Sequence, residues 1–297
     1  MDQVLPINEE RFRRIQRFID RMPSLSTTVT KVLSVCNQPS TSPSDLNRVV
    51  SLDPVLTGQV LKLINSAYYS LPNQITSLTR AIIMLGLNTV KNLALSTAIL
   101  TSFSRADSFR SLDMDDFWTH SLCVGVTAKN LASRLGVPVV QWEEYFVAGL
   151  LHDLGKIPLN DCFDDQYGQV LELARLDQGS LARAEKMIIG LDHGLVGTLI
   201  AAKWKLSDAM TEVMGHHHDS ENSSEEHRPL VAVVSLANLF ANLYAYGDAG
   251  DTFQEESVVG SLLDQVGISW SELWPLVEIV GVEIRKARIF LQVTKGK

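Results

Sequence analysis

The stretch Val147-Ala-Gly-Leu-Leu-His152-Asp153-Leu-Gly155-Lys156 sets an imidazole and a carboxylate side by side at the end of an apolar run. The run itself reads as a buried helix. Burying Asp beside His is costly unless a cation or hydrogen bonds compensate. Neighbours on a helix diverge by about 100 degrees, so His152 and Asp153 converge on one centre most easily where the helix ends, and Gly155 permits the chain to turn there. A bound metal ion supplies the compensation, and so does an Asp–His hydrogen bond that closes the helix. This stretch alone leaves both readings open.

Working outward, all seven histidines lie between positions 120 and 227, and the first 119 residues hold none. His120, in Phe-Trp-Thr-His-Ser, precedes a helical pattern of Val124, Ala128, Leu131 and Leu135. His193 follows Asp192 at a helix start, and Met214-Gly-His216-His217-His218-Asp219 closes another helix with three imidazoles, of which two can aim at one centre. A lone histidine on a helix is usually a hydrogen-bonded core or rim residue, and three in a row can be incidental. The set carries the argument. Hydrolytic metal sites combine neutral imidazoles with a carboxylate that can bridge two ions, and Asp153 is the natural bridge.

The rest of the chain predicts an all-α protein. Helical periodicity recurs from Arg11–Met22 onward, with openings at Ser42-Pro43, Asp53-Pro54 and Ser77 whose side chains can cap free backbone N–H groups. No run of alternating strand residues appears. The polar stretch Ser104–Asp116 marks a boundary. The expected organisation is an amphipathic helix over 1–21, a helical bundle over 22–110, a metal-site core over 111–250 and a helical extension over 251–297. Asp219–Arg228 and Gly247–Asp251 read as surface loops.

Composition narrows the function classes. In 297 residues, 34 acidic side chains against 26 basic ones give a net charge of -8, which opposes general attraction to nucleic acid or anionic lipid. Arg13, Arg14, Arg17 and Arg21 form a solvated helix face or, as the weaker alternative, a contact for phosphate backbones. Cys36, Cys123 and Cys162 are widely spaced and odd in number, so neither disulfides nor a thiolate zinc site is expected. No apolar leader opens the sequence, and the apolar stretch Ile82–Leu100 is interrupted by Asn88, Lys91, Asn92 and Ser96, so a cytoplasmic protein without a membrane span is expected.

The order His, His-Asp, His, His-His resembles the HD phosphohydrolase superfamily. Met22-Pro-Ser-Leu25, Ser51-Leu-Asp-Pro54, Asn65-Ser-Ala-Tyr-Tyr69, Ile75-Thr-Ser-Leu78, Ala81-Ile-Ile-Met-Leu-Gly86 and Val90-Lys-Asn-Leu-Ala94 are similar to signatures of its HDOD branch, over roughly residues 20–245. The resemblance implies an N-terminal helical bundle packed on an HD-like helical core, used in bacterial signalling. It also implies a ligand set of His120, His152, Asp153, His193, His217, His218 and Asn238. Asn238 departs from the superfamily pattern, which has a carboxylate there. An amide still offers a carbonyl oxygen but no negative charge, so one metal position is weakened. The Gly-Tyr-Pro motif of the related cyclic di-GMP phosphodiesterases is missing.

Two functions follow from this reading. The first is a regulatory module that binds one or two divalent ions (Fe, Mn, Zn or Ni), has little or no catalysis, and takes a signalling protein or a small phosphorylated ligand as partner. The second is a metal-dependent phosphohydrolase acting on a nucleotide or cyclic nucleotide. There Asp153 would hold the ions and Lys156 would contact a substrate phosphate, although Lys156 also reads as a cation answering a helix dipole.

Overall fold

The computed structural model describes residues 9–36, 41–103, 111–251 and 256–294, and among them every regular element is helical. The first half contains α1 (Glu9–Arg21), α2 (Thr27–Cys36), α3 (Pro43–Val50), α4 (Pro54–Ile64), α5 (Leu78–Leu85) and α6 (Leu87–Phe103). The side chains of Ser42, Asp53 and Ser77 accept from the N–H groups of Asp45, Leu56 and Arg80, so the three expected openings are the ones used. No single helix is long and apolar enough to cross a membrane; α5 and α6 reach that length only as a pair bent by 119°. Helix α6 buries most of its length, from Asn92 through Thr97 without a break, which is why its apolar residues are not confined to one face.

The second half contains α7 (Met114–Arg134), α8 (Trp142–Leu151), α9 (Lys156–Cys162), α10 (Asp164–Asp177), α11 (Leu181–Ile188), α12 (His193–Trp204), α13 (Asp208–His216) and α14 (Arg228–Leu243). Four further helices follow: α15 (Glu256–Val266), α16 (Trp270–Leu273), α17 (Leu276–Ala287) and α18 (Ile289–Thr294). Helix α7 is the axis of this half, with α8, α14 and α17 packed around it. Helix α18 returns to the first half and packs on α4 and α6. There Phe290 meets Tyr68 and Phe146, with ring centroids 5.5 and 4.9 Å away, and Tyr68 meets Phe146 at 5.7 Å. Three distant segments thus share one aromatic cluster. Beside it the Lys129 ammonium pairs with Glu143 and stands 4.6 Å from the Tyr68 ring centroid.

Helix α1 buries Ile15 and Ile19 and packs on α9 and α12. Arg11 donates to the Ile188 carbonyl at 2.6 Å, and the Arg14 guanidinium lies 5.1 Å from the Phe163 ring centroid. Part of the basic cluster therefore works inward.

Several sequence expectations change. Part of the Ser104–Asp116 boundary, residues 104–110, lies outside the described residues. Its end is the start of α7, where Asp113 accepts from the Asp116 N–H and acidic residues answer the helix dipole. The extension expected over 251–297 holds α15 to α18 among the described residues, with the last three separated at Trp274-Pro275 and Arg288. Pro158 sits in the first turn of α9, where its missing N–H has no helical acceptor to lose. Gly247–Asp251 is not a surface loop, since Ala249 and Asp251 are buried at 1% exposure.

Candidate metal centre

The two adjacent residues of the opening stretch reach one centre because they occupy the corner between α8 and α9. His152 is the last residue with α8 geometry, and α9 begins three residues after Asp153. Gly155 serves this corner differently from the expectation. Its φ of -64° suits any residue, so no left-handed turn is needed. What requires glycine is space: an added Cβ would lie 1.9 Å from the His193 carbonyl oxygen and 2.7 Å from the Gly197 nitrogen. The N-terminus of α12 lands on Gly155, and that landing brings His193 beside Asp153.

Around the fully buried Asp153 carboxylate, His152 Nε2 lies 3.2 Å and His120 Nε2 3.8 Å from Oδ2. His193 Nε2 lies 3.5 Å and His217 Nε2 3.4 Å from Oδ1. His218 joins from the edge, with Nε2 2.9 Å from His193 Nε2. His216 is only half-buried and takes no part. The structure thus brings together six of the seven residues expected as ligands, in two sets that share Asp153: His120 with His152, and His193 with His217 and His218. The seventh, Asn238, is buried next to His120 without a hydrogen bond of normal geometry to it.

The tautomers make this cluster informative. His152 Nδ1 lies 2.7 Å from the Gly149 carbonyl and His217 Nδ1 3.0 Å from the Val213 carbonyl. A carbonyl only accepts, so both Nδ1 atoms carry the proton and both Nε2 atoms present lone pairs inward. His193 Nδ1 faces Glu185 Oε2 at 2.6 Å, and the same oxygen accepts the His193 backbone N–H at 2.8 Å. Tyr167 donates to the other Glu185 oxygen at 2.9 Å. A carboxylate behind an imidazole in this way fixes ring orientation and raises basicity. Burial works against a charge on His193, but Glu185 outweighs it and the pKa is raised. Burial pushes His120 down to about 3 and His217 down to about 4. One proton on His193 can serve only one of the lone pairs of His217 and His218. It leaves His152 Nε2 and Asp153 Oδ1 without partners among the described residues. Neutral imidazoles and carboxylate oxygens converging in a buried pocket are the donor set of a divalent transition metal, and the residues fit one.

Two acidic residues that sequence reasoning missed complete the pocket. Glu185 carries no local signal in Leu-Ala-Arg-Ala-Glu-Lys-Met-Ile; only its helix partner reveals it. Asp251 was hidden in a Gly- and Asp-rich segment. Its Oδ1 accepts from the Leu181 N–H at 3.3 Å, and its Oδ2 lies 3.2 Å from His218 Nε2. Lys156 stands in the first turn of α9 rather than at a helix C-terminus, so it answers no C-terminal dipole. Its ammonium turns inward, bonding Asp153 Oδ2 at 2.7 Å and the Ala249 carbonyl at 3.0 Å. Burial opposes protonation of Lys156, but Asp153 and Asp251 raise its pKa. Burial likewise opposes ionising Asp153, while His152 and Lys156 hold its carboxyl well below the usual range. A cavity of about 280 Å³ opens on the pocket, with His217, His218 and Asn238 on one side and Ser261, Leu262 and Gln265 of α15 on the other.

Comparison with known proteins places this geometry. The HDOD domain family model matches residues 22–220. The crystal structure of an HDOD domain protein of unknown function from Geobacter sulfurreducens is 26% identical and superposes with a TM-score of 0.73, covering 95% of this chain and 97% of that one. A candidate phosphohydrolase from Shewanella amazonensis SB2B shares the fold at 22% identity and a TM-score of 0.69, covering 95% and 98% of the two chains. An uncharacterized protein of Treponema pallidum (strain Nichols) is 24% identical over 221 residues, 74% of this chain. The match spans 42% of that relative's length.

Proposed function

This chain belongs to the HDOD domain family, and from that premise we propose that it is a regulatory protein of bacterial signal transduction whose HD-type centre binds divalent metal with little or no hydrolytic turnover. The cluster of His120, His152, Asp153, His193, His217 and His218 holds the metal in this reading. When bound, a divalent ion supplies Lewis acidity toward phosphate oxygens and an acidified water. The observation that carries the regulatory reading is the state of the His120 and His152 half. Asn238 brings no charge there, and the Lys156 ammonium already occupies Asp153 Oδ2 at 2.7 Å. The partner in this reading is a signalling protein or a small phosphorylated ligand in the cytoplasm.

The test uses protein purified without an affinity tag. Elemental analysis is expected to find stoichiometric Fe, Mn, Zn or Ni that Asp153→Ala, which removes the carboxylate common to both halves, loses, and a panel of nucleotides, cyclic nucleotides and bis-p-nitrophenyl phosphate is expected to remain uncleaved. Absence of metal would refute the site. Cleavage that disappears in Asp153→Ala would install the second reading, a metal-dependent phosphohydrolase acting on a nucleotide or cyclic nucleotide. What favours that reading is the 280 Å³ cavity against His217, His218 and Asn238.

A further inference from the structure

We propose that Asp251 is a metal ligand, and that the centre holds a single ion in the half formed by His193, His217, His218 and Asp153, whose donor atoms lie within 4.8 Å of one another, with Asp251 Oδ2 joining from beside His218 and the Lys156 ammonium standing where a second ion would otherwise be held. The inference rests on the metal-binding reading above and deepens it. It starts from the loop after α14. Gly247, at φ +71°, has no room for a Cβ, which would lie 2.3 Å from the Asp116 carbonyl oxygen and 2.5 Å from the His120 nitrogen. The Asp248 N–H donates to that same carbonyl at 3.3 Å. The loop is thereby anchored on the first turns of α7. It then delivers the Ala249 carbonyl to Lys156 and the Asp251 carboxylate to His218.

Asp251 is oriented rather than merely buried. The Leu181 N–H holds Oδ1, and Oδ2 is left facing His218 with no hydrogen-bond partner among the described residues. An unpartnered carboxylate oxygen at 1% residue exposure, 3.2 Å from an imidazole nitrogen, calls for a cation. The opposite half lacks this. Asn238 removes its carboxylate, and its remaining oxygen, Asp153 Oδ2, is bonded to Lys156.

Charge decides the count. Asp153, Asp251 and Glu185 against Lys156 leave two negative charges in a pocket whose acids and lysine are at most 1% exposed. One divalent ion neutralises them. A second would leave two uncompensated positive charges in a buried volume, which is strongly unfavourable. The chain thus carries a carboxylate on one half of the centre in place of the one missing on the other.

The experiment strips the untagged protein of metal, titrates it with Zn2+, and measures bound zinc by elemental analysis and Kd by chelator competition. Wild type is expected to bind one ion. Asp251→Asn is expected to weaken Kd by about tenfold or more, and Asp219→Asn, at an exposed acid lining the same cavity, to stay within about threefold of wild type. Two ions per wild-type chain, or Asp251→Asn at wild-type affinity, would overturn the inference while leaving the metal-binding reading intact. No zinc in wild type would overturn both. If Asp251→Asn fails to fold, the zinc count of wild type still decides, because two ions per chain refute the single-ion assignment.

Discussion

Replacing Gly155 with alanine puts one methyl group where the centre has no tolerance. The new Cβ starts 1.9 Å from the His193 carbonyl oxygen, 2.7 Å from the Gly197 nitrogen and 2.8 Å from the His193 carbonyl carbon. All three are backbone atoms of α12, so no side chain can rotate away. To reach the 3.0 Å below which Cβ contacts essentially never fall, α12 and the α8–α9 corner must separate by about 1.1 Å. Overpacking of this kind costs about 1–3 kcal/mol, and the rigidity of both partners places Gly155→Ala near ~3 kcal/mol in the metal-free protein. The same movement carries His193 away from Asp153. Metal–ligand distances tolerate about 0.2 Å, so a displacement several times larger weakens binding by something on the order of a hundredfold. Zinc at a thousandfold excess over the wild-type Kd stabilises wild type by about 4.1 kcal/mol and the variant by only about 1.4 kcal/mol. Urea unfolding with and without zinc reads both effects. A variant with wild-type stability when metal-free and a wild-type zinc increment would refute the account of how α12 is placed.

Two further outcomes follow from other parts of the molecule. Lys129→Met leaves the Glu143 carboxylate, 5% exposed, without its cation beside Tyr68 and should cost ~3 kcal/mol in urea unfolding; a loss below about 1 kcal/mol would show that the pair is not needed at this junction. In the metal-free protein, burial lowers His120, His217 and His218, whereas Glu185 raises His193 against burial and burial raises Asp251. The lowered groups bind protons more readily when unfolded. Their effect is therefore absent above pH 6.5 and destabilises as pH falls toward about 4, by about 3 kcal/mol for His217 alone. His193 and Asp251, both raised, act in the opposite sense. Stability of the metal-free protein that is flat between pH 7.5 and 5 would contradict this.

The residues that were legible in the sequence are those whose local context does the positioning. Asp53 and Ser77 sit next to the helices they cap, and the apolar run before His152 fixes where His152 lies. His217 and His218 were legible as a pair for the same reason, since the end of α13 limits which imidazoles can converge. Glu185, Asp251 and the inward Lys156 were not. Each is defined by a partner brought up by folding: His193 from the next helix for Glu185, His218 for Asp251, and the Ala249 carbonyl for Lys156. Glycine misleads for a related reason. Gly155 reads as a turn residue, whereas its role is a contact with α12, which lies 38 or more residues away along the chain. Helix α15 falls within the expected helical extension, but its place as a wall of the cavity over the imidazoles depends on folding and carries no local signal.

The aromatic cluster of Tyr68, Phe146 and Phe290 has a consequence for the order in which this protein is made. Helices α4 and α6 are complete by residue 103, but α18, which covers them, begins only at residue 289. At ordinary synthesis rates of about 5–20 residues per second, the interval is roughly 10–40 s. Throughout it, the nascent first half displays the apolar face meant for Phe290, and the closure that buries it waits on a contact between segments far apart in the chain.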